Sequence, residues 1–237
     1  MKVIMIFLAV LFFPVASLLG QSEIQKYAGT AMPYPSVKEL PILNHEGMMP
    51  FYINHLGRHG ARFPTSGKAL EKVRDRLILA KQEKRLTAKG LELLATVLQL
   101  SDNFKDQWGK LSPIGEQEQK GIAERMLARY PELFVGSARV EAIATYVPRC
   151  INSMDVFLSC MKKRDSLLVI RQSAGEQYNS LLRFFALNKS YIHYKEKGNW
   201  ISLYESFVRD KITVIPVMER FFLISGQETE LESREFV

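Results

Sequence analysis

Residues 139–145 and 166–172 are short β-branched and apolar runs, and between them lies an amphipathic stretch over 148–163. Two strands joined by one helix cannot pair as a hairpin, so the spacing predicts a crossover unit with parallel strands. Further helices are predicted at 66–79, 87–100 and 113–130, with Ser112 as N-cap and Pro113 in the first turn. With a first strand over 51–57, this order gives an α/β fold: a partial layered core of mostly parallel strands and helices. After Ala174 the pattern becomes helical and aromatic, at 177–187, 200–209 and 214–222, with Lys195-Glu196-Lys197-Gly198 read as a connection.

The end of the first predicted strand carries Arg58-His59-Gly60-Ala61-Arg62-Phe63-Pro64. Two guanidinium groups beside an imidazole disfavour its cation, and the neutral ring is a nucleophile. Each guanidinium also presents a fork of donors matched to phosphate oxygens. Gly60 permits close approach of the backbone to a ligand, and Pro64 ends the strand. The pattern reads as phosphoryl transfer through His59, with Arg58 and Arg62 clamping phosphate. Downstream, Pro148 suits a first helical position and Arg149 follows it, where free N–H groups attract anions.

The Arg-His-Gly-x-Arg-x-Pro segment resembles that of the histidine acid phosphatases, a branch of the histidine phosphatase superfamily. The resemblance extends over about residues 45–160. Leu111-Ser112-Pro113-Ile114-Gly115 is similar to the Leu-Thr-Pro-x-Gly segment of that family, and Gly121, Arg125, Tyr130-Pro131 and Leu133-Phe134 follow in the family's order. The run Tyr146 to Met154, with Arg149-Cys150-x-x-Ser153, most resembles multiple inositol polyphosphate phosphatases, a phytase-like subgroup. The resemblance implies that His59 becomes phosphorylated and that Arg149 is a third phosphate-binding arginine. It also implies a small phosphorylated substrate such as an inositol polyphosphate, no cofactor and no metal. The helical part, 174–237, corresponds to a cap-like insertion beside a core spanning 51–173.

One family element has no match. A His-Ala-Glu or His-Asp pair, whose acid protonates the leaving alkoxide, is expected late in the chain, yet the one histidine after residue 60 is His193, followed by Tyr194-Lys195-Glu196. His45-Glu46 precedes the core and is expected to be a loop pair. The general acid is therefore unknown, with Glu141 and Glu176 among the acids that the sequence does not decide between. The family's longer chains imply that 237 residues hold an incomplete core, ending in or just after the insertion, and that the isolated chain aggregates. Loss of a general acid typically costs about 10²- to 10⁴-fold in rate. That leaves a truncated, catalytically defective phosphate binder as the alternative to an enzyme, and a mutase-like member as a third reading.

Residues 1–20 begin with Lys2, continue as an apolar run and end in small residues, the pattern of a secretory leader cleaved after Gly20 or Ala16. Export to a secreted or periplasmic location is expected, with a retained anchor as the alternative and no stable membrane span once the leader is removed. Residues 21–50, rich in proline and glycine, form an irregular lead-in. The formal net charge of +7 suits an anionic substrate. Basic residues alternate with acids along predicted helices, without the aromatic interleaving of a nucleic-acid groove, so no nucleic-acid partner is expected. Cys150 and Cys160 are ten residues apart on one predicted helix, a separation of about 15 Å, too far for a disulfide between them. They are expected to be buried apolar thiols, with a partner lost in a missing segment as the alternative.

Overall fold

The computed structural model describes Tyr34, residues 47–211 and residues 214–223. The leader, most of the lead-in and the His45-Glu46 pair lie outside the described residues.

The crossover unit forms as its spacing requires. Strand β1 (Arg139–Ala144) and strand β2 (Val169–Ala174) pair in parallel, Arg139 opposite Val169 and Ala144 opposite Ala174. Helix α4 (Pro148–Arg164) connects them, and α3 (Pro113–Arg129) packs along α4. Along α3 the buried positions are Gly115, Gln119, Ala123 and Leu127, a four-residue repeat that keeps one face inward. Ala123, Leu127, Leu158, Met161 and Leu168 form the core there, with Val140, Ala142 and Ile170 packing onto it from the sheet. Each fully buried side chain of this size contributes about 1.5–3 kcal/mol. Lys162 Nζ donates to the Leu168 carbonyl at 2.7 Å, tying the end of α4 to the approach of β2.

A second core lies between α1 (Lys68–Gln82) and α2 (Ala88–Phe104), where Leu77, Leu94 and Val97 are buried. Thr87 caps α2 by accepting from Gly90 N–H at 3.0 Å. Beyond β2 follow α5 (Asn179–Leu182), α6 (Lys189–Lys197), α7 (Trp200–Lys211) and α8 (Ile215–Phe221). The chain then returns to the α1–α2 turn. Leu86 and Phe222 form an antiparallel bridge, Thr87 Oγ1 donates to the Arg220 carbonyl at 2.7 Å, and Leu223 N–H donates to the Arg85 carbonyl at 2.7 Å.

The fold class is as expected, a helix-rich partial α/β arrangement with a small parallel sheet. Five local expectations are corrected. Residues 51–57 are not a strand: Phe51, Tyr52 and Leu56 are exposed, and β1 pairs with β2 in a two-stranded sheet, so the β-favouring run there finds no ladder to join. The last strand starts at Val169, because Leu167 and Leu168 belong to the turn closed by Asp165 and Lys162. Residues 177–187 break into α5 and flanking 3₁₀ turns, Glu176–Tyr178 and Phe184–Ala186. Lys195-Glu196-Lys197 is helical, closing α6, whose N-cap Asn188 accepts from Tyr191 N–H at 2.9 Å. Cys150 and Cys160 are free, and both are half-buried instead of buried.

Candidate active site

The Arg58–Pro64 loop lies across the N-terminal end of α3. Arg62 bridges antiparallel to Leu111, Phe63 N–H donates to the Lys110 carbonyl at 3.0 Å, and Gly109 N–H donates to the Pro64 carbonyl at 2.7 Å. Gly109 turns back there at φ +71, where a side chain would be strained. At Gly60 the loop touches the helix backbone to backbone. A Cβ on Gly60 would overlap the Gly115 carbonyl, and one on Gly115 would overlap the Ala61 carbonyl.

Side chains from two helices fix this contact. From α3, Gln119 Nε2 donates to the Arg58 carbonyl at 3.1 Å, and Glu118 Oε2 accepts from Ala61 N–H at 2.6 Å. Ser112 just ahead of α3 donates through Oγ and through its N–H to the Ala61 carbonyl, both at 2.9 Å. From α4, Ser153 Oγ accepts from Gly60 N–H at 3.1 Å and donates to the Arg149 carbonyl at 2.7 Å. One turn on, Phe157 stacks on His55 at 5.5 Å and 7°. Arg149, Ser153 and Phe157 are spaced by four, so a single face of α4 meets the loop.

His59 is half-buried, and its Nδ1 lies 2.8 Å from the Gly60 carbonyl oxygen. A carbonyl only accepts, so Nδ1 carries the proton and the lone pair is left on Nε2. Burial pushes the ring below its ordinary imidazole value of 6.5; the Gly60 bond opposes this, and Arg149, Arg58 and Arg62 add to the lowering in that order. The three predicted arginines thus all lie near enough to His59 to act on its charge, and with burial they favour the neutral ring. Arg58 and Arg62 are exposed, and Arg62 Nη1 donates to the Phe63 carbonyl at 3.0 Å. Arg149 is half-buried, and its Nε has no hydrogen-bond partner. A buried unpaired donor is costly unless a ligand completes it, and here the donor belongs to a cation.

Sequence reasoning missed Glu118, Gln119 and Ser153 as supports, and Arg183 as a neighbour. Arg183 Nη1 donates to Tyr146 Oη at 3.1 Å and stacks its guanidinium over that ring at 5.3 Å, bringing a charge from the helical segment to the residue three before Arg149. Glu141 lies exposed on the outer face of β1, and Glu176 is exposed in the turn after β2. Among the described residues no three His, Cys, Asp or Glu side chains are placed to hold a metal ion.

The family model of the Histidine phosphatase superfamily (branch 2) matches residues 52–217, from just before the loop to α8. The chain belongs to that superfamily. The matched residues include His59 and the three arginines that lower its affinity for a proton. This histidine phosphatase chain is also 25% identical, over 155 residues, to multiple inositol polyphosphate phosphatase 1 of Gallus gallus. The match covers 65% of this chain and 32% of that relative, so the chain spans about a third of its relative's length.

Proposed function

We propose that the chain is a phosphomonoester hydrolase acting through a phosphohistidine on His59, with an inositol polyphosphate as substrate. The observation that carries the reading is the 2.8 Å approach of His59 Nδ1 to the Gly60 carbonyl, which favours the proton on Nδ1 and leaves the Nε2 lone pair free, with three guanidinium charges acting on the ring. Nε2 attacks phosphorus in line, the P–O bond to the substrate breaks, and the electron pair leaves with the alkoxide. Arg58, Arg62 and Arg149 neutralise the phosphoryl oxygens, the dominant contribution in transfers of this kind. Water then attacks phosphorus, releases inorganic phosphate and restores the imidazole. The alkoxide takes its proton from an acid that the chain's sequence does not identify.

The choice of inositol polyphosphates is supported by the similarity to the avian enzyme and by the positive charge extending through Arg183. A substrate with several phosphates suits several guanidinium groups. The reading includes export, supported by the apolar run after Lys2, which N-terminal sequencing of the secreted chain would check. Its central test is trapping of 32P on the protein from a labelled aryl phosphate. Labelling is expected in the wild type and absent in His59→Ala; a variant that labels equally removes His59 from the reaction.

A second reading, a phosphate or inositol-phosphate binder without turnover, is supported by the unpartnered Arg149 Nε, which a bound anion completes with no chemistry. Calorimetry with inositol hexakisphosphate beside a phosphate-release assay separates the two. Binding without release supports the binder.

A further inference from the structure

The Gly60–Ala61 peptide is engaged at both of its polar ends. Its carbonyl oxygen meets the His59 Nδ1–H at 2.8 Å, and its N–H donates to Glu118 Oε2 at 2.6 Å. Both bonds belong to one rigid plane, so carboxylate, amide and imidazole form a continuous chain. The outer bond is charge-assisted, since its acceptor is a carboxylate. Drawing on the N–H polarises the amide and increases electron density on its oxygen, and bonds in such a chain strengthen one another by about 10–30%. A stronger acceptor at Gly60 retains the proton on Nδ1 and orients the ring.

The location of Glu118 otherwise makes poor sense. An acid hydrogen-bonded to the backbone of the Arg58–Pro64 loop opposes anion binding there by simple repulsion. Here its oxygens are occupied by backbone donors, Ala61 N–H through Oε2 and Tyr34 N–H at 2.8 Å through Oε1. Arg125, two turns along α3, lies over the Tyr34 ring at 5.4 Å and adds to that second attachment.

We propose that Glu118 is a positioning residue for His59, holding the imidazole in its Nδ1–H form and in a fixed orientation through the Gly60–Ala61 peptide. Its catalytic meaning rests on His59 being the nucleophile proposed above; its structural content does not. A simple tether is the competing explanation, and Ser112 distinguishes them. Ser112 holds the Ala61 carbonyl, which belongs to the next peptide, so its loss loosens the same loop without touching the relay.

The test is nitrogen NMR of ring-labelled histidine in the full chain, at a pH where His59 is neutral, for wild type, Glu118→Ala, Glu118→Gln and Ser112→Ala. The wild type is expected to be predominantly Nδ1–H. Both Glu118 variants are expected to shift the tautomer ratio severalfold toward Nε2–H, the scale of about 10–30% of the inner bond's strength, and Ser112→Ala is not. Glu118→Gln, nearly isosteric, decides the matter if Glu118→Ala does not fold. An unchanged ratio in folded Glu118→Gln, or an equal shift in Ser112→Ala, overturns the proposal. Single-turnover phosphorylation by an aryl phosphate, expected to slow roughly tenfold or more in Glu118→Gln, is measured alongside. Absence of phosphorylation in the wild type would refute the hydrolase reading, while the tautomer ratios still decide the relay.

Discussion

The unit that holds the loop and the helices that follow it are both rich in apolar residues, yet they treat them differently. Across α3, β1, α4 and β2 the large side chains turn inward: Leu158 is 4% exposed and Met161 1%. Between residues 175 and 211 no residue is buried, and Leu203, on α7, is 69% exposed. Composition is therefore not what separates the regions. In the first, the four-residue repeat of α3 packs against Leu158 and Met161 of α4 and a sheet closes the third side. In the second, local devices suffice to form the helices, such as the Asn188 cap and the Trp200 Nε1–H donated to the Tyr194 carbonyl at 2.9 Å. Helices can be specified locally, whereas the placement of a reactive loop needs packed neighbours.

The contrast breaks or holds on matched substitutions followed by denaturant unfolding. Leu158→Ala is expected to cost about 2–5 kcal/mol, the transfer of its methyl groups plus the cavity left between α4 and the sheet. A cost as small as that of a surface change would mean that the α3–α4 unit is not the stable part. Next in size, Gly115→Ala forces a Cβ into the Ala61 carbonyl and is expected to cost about 1–3 kcal/mol. Because the displaced group belongs to the loop, phosphohistidine formation should fall further than stability does. Parallel losses would show that the glycine contact is ordinary packing.

The protonation of His59 sharpens the same contrast. Its value in the folded chain lies below the ordinary 6.5, so the unfolded chain binds the proton more readily in the interval between them. The associated stability is present above pH 6.5 and is lost as pH falls through the folded value. Thermal melts of the wild type are therefore expected to drop more steeply on acidification below neutrality than those of His59→Gln; matching slopes would remove this linkage. The smallest effect belongs to Leu203→Ala, expected to stay within about 0.5 kcal/mol because its side chain already faces solvent. A cost like that of Leu158→Ala would show that α7 is covered in solution.

Much of the site was legible because its signals are local. His59, Arg58 and Arg62 are adjacent in the chain, and Arg149 follows a proline that announces a helix start. The start of α3 is written in Ser112-Pro113, and Ser112 does accept from Gly115 N–H at 3.2 Å. What escaped is relational. Residues 51–57 open with the β-favouring run Phe51-Tyr52-Ile53, but a strand exists only against a partner, and nothing in the seven residues names one. Glu118 reads as one acid among several on a mixed-charge helix. Its meaning appears only when the Ser112, Gly115 and Glu118 spacing of three is laid against the loop that crosses it. Lys195-Glu196-Lys197 reads as a polar connection, yet charged residues are good helix formers once a cap such as Asn188 has started the turn.

The attachment of the helical segment has a mechanical consequence. Its beginning is fastened where Gly175 N–H donates to the Ala144 carbonyl at 3.2 Å, and its end where Phe222 bridges to Leu86. Between these two ends the Arg183–Tyr146 hydrogen bond is a third fastening. Arg183 thus serves as a catch as well as a charge: while it holds the Tyr146 hydroxyl, the segment is anchored on both sides of its aromatic helices and beside the start of α4.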